Sequence, residues 1–359
     1  WFNYPIGQLP LLVALSGYAA LLWRYPPLLF LGLPVLLASL DLSPITGQLM
    51  LSTFDLFVLA SLAVGYWRFS GFRPRPWPNR LFPWALRLLW LSWGLATLRG
   101  LWPLLSGADV APVSSHSPLE AWLVAKGMLW ALLLVPIIRR IPTEVSPAVR
   151  QLFLNGLVIG VSIVGIIVLW QRHVFVGLAD FASDFRVTGP FASMHTGGAY
   201  IEAFIAFAFP ALVIWLLQQR RQATRILGYG LVILTSYALF VTFSRAGYGA
   251  LLVSLIVLTI GLWRQQQPTG NKLPLALGGI ALATLLVAIP VLTGSFAQQR
   301  LSQSMADLEF RLHHWQRALT LMDDGIMAKT LGTGFGQYPS RYLYRADPER
   351  PPGTYAIIT

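Results

Sequence analysis

The sequence has no cysteine, so neither disulfides nor thiol chemistry contributes to its stability or function. Charge is scarce: 11% of the 359 residues are Asp, Glu, Lys or Arg, against ~25% in ordinary soluble domains. Acidic charge is scarcer still, with 14 Asp and Glu against 26 Lys and Arg and a net charge of +12. Such a surplus could indicate nucleic-acid binding. That reading is set aside, because much of the positive charge sits in short loops between apolar runs, where membrane topology accounts for it. What is abundant is hydrophobic residues, 55% of the chain. Apolar runs close to the ~20 residues that cross a bilayer recur along the sequence. The implied fold class is an all-α polytopic membrane protein with about ten or more transmembrane helices and an external, partly helical loop segment.

The candidate spans are 5–23, 27–40, 50–67, 81–98, 119–138, 152–170, 198–217, 226–243, 247–263 and 273–293. Together they make residues 1–293 a transmembrane bundle. Orientation follows from the loops. One set carries Arg24, then Arg68, Arg73, Arg75 and Arg80, then Arg139, Arg140 and Arg150, then Arg220, Arg221 and Arg225, then Arg264 and Lys272. The opposite set carries only Arg99, Arg172, Arg186 and Arg245. The first set is expected to face the cytoplasm. The island 185–198, Arg245 and residues 294–359 then face outward. That order also places Trp1 outside, a sign of a missing or miscounted first helix.

Residues 294–359 are polar and contain no spanning run, so they read as an external segment. Ser304 and Asp307 fit a capping box, and Leu308, Leu312, Trp315, Leu319 and Met322 recur at alternating steps of four and three. The spacing predicts an amphipathic helix near 305–323, lying on the membrane surface or capping the bundle, with Gly325 as its C-cap.

Ionisable groups inside spans are expensive, which makes function the default expectation for them. Arg87 is close enough to a cytoplasmic helix end to snorkel. Asp55, Lys126 and Glu202 lie four to seven residues below the outer ends of their helices. A rise of ~1.5 Å per residue puts all three at one depth. They suggest a polar pocket opening outward; mutual ion pairing that fixes helix packing is the other reading. Arg186 precedes a Thr188-Gly189-Pro190 turn, and Arg245 interrupts apolar sequence between two spans with almost no loop. Two permanent guanidinium groups on one face can hold a phosphate or pyrophosphate bidentately.

His195 leads directly into a span, and His314 shares a helix side with Arg311. A neutral histidine at either place could take a proton from an incoming hydroxyl. His116, His173 and His313 have no supporting pattern. No His-Glu-x-x-His or i, i+4 histidine pair occurs, so no metal site and no cofactor are expected. Gly332-Thr333-Gly334-Phe335-Gly336 is a weak phosphate signal, with a backbone nest and a plain turn both open.

Taken in order, Arg186-Val187-Thr188-Gly189-Pro190-Phe191, Ser244-Arg245, and Arg311, Trp315, Ala318-Leu319 with Gly332–Gly336 resemble the O-antigen ligase and O-antigen polymerase superfamily of bacterial envelope glycosyltransferases. The resemblance covers roughly 185–340. It departs at Met194-His195, where the family often has Pro-Asn. The family has further spans and a late histidine in its long loop, which the resemblance places beyond Thr359, so the sequence reads as truncated.

The resemblance implies a metal-independent, inverting glycosyltransferase of the bacterial inner membrane, active at its periplasmic face. The donor would be a glycan on undecaprenyl pyrophosphate, held by Arg186, Arg245 and Arg311. A base among His195, His314 and Glu202 would activate a hydroxyl of an acceptor glycan or glycolipid, with Asp55 and Lys126 in the pocket. Membrane lipid and envelope assembly proteins are the further partners expected. Polymerase and ligase differ only in acceptor. Two other classes were weighed: a transporter or flippase of an anionic lipid-linked saccharide, and a non-catalytic scaffold. A transporter would place its charges near the midplane rather than at one outer level.

Overall fold

A computed structural model describes residues 8–40, 51–77, 79–105, 117–141, 146–191, 200–264 and 272–345. Helices make up nearly all of its regular structure. The first ten are α1 (Gln8–Arg24), α2 (Leu28–Leu40), α3 (Thr53–Phe69), α4 (Leu81–Leu105), α5 (Glu120–Arg139), α6 (Ser146–Phe175), α7 (Tyr200–Gln218), α8 (Gln222–Phe240), α9 (Arg245–Arg264) and α10 (Lys272–Thr293). Each coincides with one apolar run in the sequence. Four short or amphipathic helices follow: α11 (Ser295–Ser302), α12 (Ser304–Thr320), α13 (Ile326–Leu331) and α14 (Tyr338–Arg345).

Among the described residues, seven helices (α4 to α10) are long and apolar enough to cross a membrane, and Leu9–Arg24 and Leu28–Leu40 are shorter apolar helices. The chain is an all-α, multi-pass membrane protein. Large apolar side chains cover the outside of the spans, with Leu88, Leu91, Leu252 and Val257 all about 60% or more exposed. Such a surface suits hydrocarbon rather than water.

The chain forms two compact units. One comprises residues 1–26, 45–143 and 306–359. In it α1 packs on α3, where the Tyr18 and Ser61 hydroxyls lie 2.8 Å apart. α3 packs on α5 and α5 on α4. The other unit comprises residues 27–44 and 144–305. α7 is its centre. Ile201, Ile205, Ala208, Phe209, Leu212 and Val213 are almost completely buried around the whole circumference of this helix. A helix apolar on all sides is stable only when enclosed, and α6, α8 and α9 enclose this one, while α2 lies along α6.

Three local expectations are corrected. α12 ends at Thr320, and Gly325 (φ −66°, ψ 146°) is the N-cap of α13, not the C-cap of the helix before it. Ser304 is the first residue of α12, and its hydroxyl donates to the Leu301 carbonyl at 2.6 Å rather than closing a box. The side chain of Asp307 lies outside the described part of the structure. A capping box does occur, but on α3. There Ser52 Oγ accepts from the Asp55 amide at 3.3 Å and Asp55 accepts from the Ser52 amide at 2.7 Å.

Candidate functional site

The site is built from two short connections in the α7-centred unit. The first joins α6 to α7. Gln171, in the last turns of α6, holds both backbone groups of Gly189: its Oε1 accepts from the amide at 3.0 Å and its Nε2 donates to the carbonyl at 3.1 Å. Gly189 has φ 60°, and the turn is closed by the Phe191 amide donating to the Thr188 carbonyl. Only glycine takes that conformation without cost. Val187 and Phe191 are buried on either side. Arg186 therefore leaves a rigid bracket.

The second connection is the corner between α8 and α9. Thr242, Phe243 and Ser244 are all buried. Phe243 has φ 52°, a left-handed conformation unusual for a bulky residue. Its ring meets Phe296 edge-on, with centroids 4.9 Å apart. Backbone strain of this kind concentrates at functional sites. Ser244 then caps α9 by accepting from the Gly247 amide at 3.2 Å, which makes Arg245 the first helical residue.

These pieces converge. Arg186 Nε donates to the Thr242 carbonyl at 2.8 Å. Its Nη2 lies 4.0 Å from Oε1 of Glu202, a buried acid in the first turn of α7. Gly247 leaves room for that carboxylate, since a Cβ there would lie 2.9 Å from Glu202 Cγ. Arg245 Nη1 donates to the Arg300 carbonyl at 2.9 Å and to Ser304 Oγ at 2.8 Å. Burial, then the neighbouring Arg300 and Arg245 guanidinium groups, push Arg186 below the ordinary arginine range, with Glu202 and Tyr248 opposing. Three guanidinium groups thus face one carboxylate in a half-buried place.

Arg186, Arg245 and Glu202 were anticipated from sequence and lie together. Arg300, Thr242 and Gly247 were not. The available signal for Arg300 was its place just after the last span, four residues before Ser304. Arg311 is exposed on α12 and belongs to the other unit. His195 lies outside the described residues, as does the side chain of His314.

Asp55 and Lys126 also belong to the other unit, where they meet as a buried ion pair at 2.6 Å, and Trp130 Nε1 donates to the same carboxylate at 2.8 Å. The glycine segment 332–336 in that unit is a docking turn. The Phe335 amide donates to the Ala96 carbonyl at 3.0 Å, and Gln337 Nε2 to the Gly100 carbonyl at 2.7 Å. A Cβ on Gly334 would lie 2.5 Å from the Gly100 amide nitrogen, and one on Gly336 would lie 2.6 Å from that of Ala121. Its glycines permit contact with α4 and α5.

Residues 230–357 match the family model described as O-antigen ligase. This stretch is an O-antigen ligase domain. No curated protein and no solved structure matches the chain at a significant level. The O-antigen ligase domain contains the strained corner, Arg245, Arg300 and the docking turn. Arg186 and Glu202 precede it in sequence. They are tied to it by the Arg186–Thr242 hydrogen bond and by the contact of Glu202 with Gly247.

Proposed function

We propose that the chain is a glycan transferase of the O-antigen ligase and polymerase type, taking a glycan from an undecaprenyl-pyrophosphate donor to a sugar hydroxyl of an acceptor glycan or glycolipid. The observation that carries this reading is the convergence of Arg186 and Arg245 beside Glu202, on connections that hold each of them rigidly. Fixed cations in a half-buried site bind a pyrophosphate and stabilise the charge it acquires on leaving, with little reorganisation at the moment of reaction. Their placement suits a lipid-linked ligand, because the apolar outer faces of the spans offer the polyprenyl tail a path beside the site.

In the transfer, the bond between the anomeric carbon and the phosphate oxygen breaks, and its electron pair stays on the pyrophosphate. The acceptor oxygen attacks the anomeric carbon from the opposite side, inverting it. The acceptor proton passes to a base on this chain, for which Glu202, His195 and His314 are the candidates. No step requires a metal. Glu202 also has a second task, holding the Arg186 fork toward the corner. The distribution of Lys and Arg among the loops supports an inner-membrane location with the site at the periplasmic face.

The test is transfer in vitro by the purified chain from an undecaprenyl-pyrophosphate glycan to defined acceptors. Arg186→Ala and Arg245→Ala are each expected to lower turnover about a hundred- to a thousandfold, the range seen when one oxyanion donor is removed. Arg186→Lys should recover little, since lysine keeps the charge but loses the Nε donor to Thr242 and the planar fork. Wild-type rates in both alanine variants would refute the assignment.

A further inference from the structure

The anion site contains a residue that no sequence motif in the chain marks. Arg300 lies in the last turn of α11. Two neighbours fix α11 on the α8–α9 corner: Phe296 packs edge-on against Phe243, and Ala297 is buried. Arg245 then holds the end of the helix, with Nη1 donating to the Arg300 carbonyl at 2.9 Å and to Ser304 Oγ at 2.8 Å. The Ser304 hydroxyl passes its own proton to the Leu301 carbonyl at 2.6 Å. The backbone that carries Arg300 is thereby pinned by the side chain of Arg245, and the Nε of Arg300 is buried. Its guanidinium is near enough to Arg186 to act on it electrostatically.

Three cations beside one acid repel one another when the site is empty, so the arrangement favours a ligand carrying more than one negative charge. Arg186 and Arg245 project from the ends of the bundle helices, whereas Arg300 comes from the polar segment beyond α10. The cations therefore approach a ligand from separate elements, which suits two linked phosphates better than one.

We infer that Arg300 is the third guanidinium of the anion site and selects a diphosphate over a monophosphate, with Ser304 as the positioning residue that, together with Arg245, holds it there. This rests on the reading of Arg186 and Arg245 as an anion-binding pair.

The experiment measures calorimetric binding of inorganic pyrophosphate and of inorganic phosphate to the purified full chain in detergent, alongside donor kinetics. The wild type should prefer pyrophosphate. Arg300→Ala should weaken pyrophosphate binding roughly ten- to a hundredfold, the loss of one charge-assisted contact, and leave phosphate binding little changed. Arg300→Lys should recover part of the preference. Ser304→Ala should weaken pyrophosphate binding several-fold, and Ser304→Thr should restore it. In transfer assays, Arg300→Ala should raise the donor KM more than it lowers kcat.

Wild-type pyrophosphate binding in the Arg300 and Ser304 variants, with binding lost in Arg186→Ala and Arg245→Ala, would overturn this inference while leaving the pair intact. Equal loss of both anions in Arg300→Ala would reject the selection, and failure of Ser304→Thr to restore binding would reject the positioning role. No binding of either anion by the wild type would remove the pair and this inference together.

Discussion

Asp55 accepts hydrogen bonds from the Ser52 amide, the Ser52 hydroxyl, Lys126 Nζ and Trp130 Nε1, at distances between 2.6 and 3.0 Å. A carboxylate so fully satisfied, 3% exposed and bonded to a lysine that is 9% exposed, is built to hold α3 against α5. Arg186 and Glu202 contrast with it: their 4.0 Å separation leaves a looser pair that a ligand can enter. The buried pair has a stability consequence. Lys126→Met leaves Asp55 charged and buried without its partner, at an expected cost of about 3–5 kcal/mol. The double variant Asp55→Leu/Lys126→Met removes both charges and should cost much less. Thermal unfolding in detergent compares them; equal melting temperatures for Lys126→Met and wild type would show that the pair carries no stability. Sequence placed these charges at one depth, but which acid meets which base depends on how each helix is turned about its axis.

At the scale of elements, the segment after α10 divides its tasks. α11 attaches to the corner that carries Arg245, while α13 and the glycine turn attach to α4 and α5. Arg99 Nη1 donates to the Met327 carbonyl at 2.8 Å, beside the Phe335 and Gln337 contacts. Gly334, at φ 101°, has both a conformation and a clearance that exclude a side chain. Gly334→Ala should loosen the docking of 326–345 by about 1–3 kcal/mol, a typical cost of imposed backbone strain. Amide exchange should rise in α13 and α14 and stay constant in α7 to α9. Unchanged exchange in α13 would show that the turn does not carry the attachment. The periodicity of α12 was legible because it buries Arg317 and Leu321 on one side and leaves Leu308, Leu312, Trp315 and Leu319 uncovered on another. The helices α13 and α14 escaped notice because six and eight residues are too few to establish a period.

The apolar spans, the uncovered stripe of α12 and the uneven distribution of Lys and Arg together imply one orientation for the whole molecule. A phosphatase fused at residue 320 should be active outside the cytoplasm, and one fused at residue 75 should be silent. The reverse result would invert the topology and place the arginine site on the cytoplasmic side. The stripe on α12 belongs to the same picture. Its exposed leucines and tryptophan suit the membrane interface, where an amphipathic helix buries its apolar face among headgroups.

Apolar runs of bilayer length determined the helices on their own, since a span must satisfy every backbone group internally and so admits little else. Composition and charge placement determined the class and the expected orientation in the same way. The order of Arg186, Ser244-Arg245 and the glycine segment carried the family resemblance. Tertiary structure alone decided that Asp55 belongs to Lys126, that Glu202 faces Arg186, and that the glycine segment is a docking turn rather than a phosphate nest. It alone brought Arg300 to Arg245. These are contacts between residues 55 or more positions apart. No local propensity encodes them, because they follow from which helix faces meet once the core of α7 is enclosed.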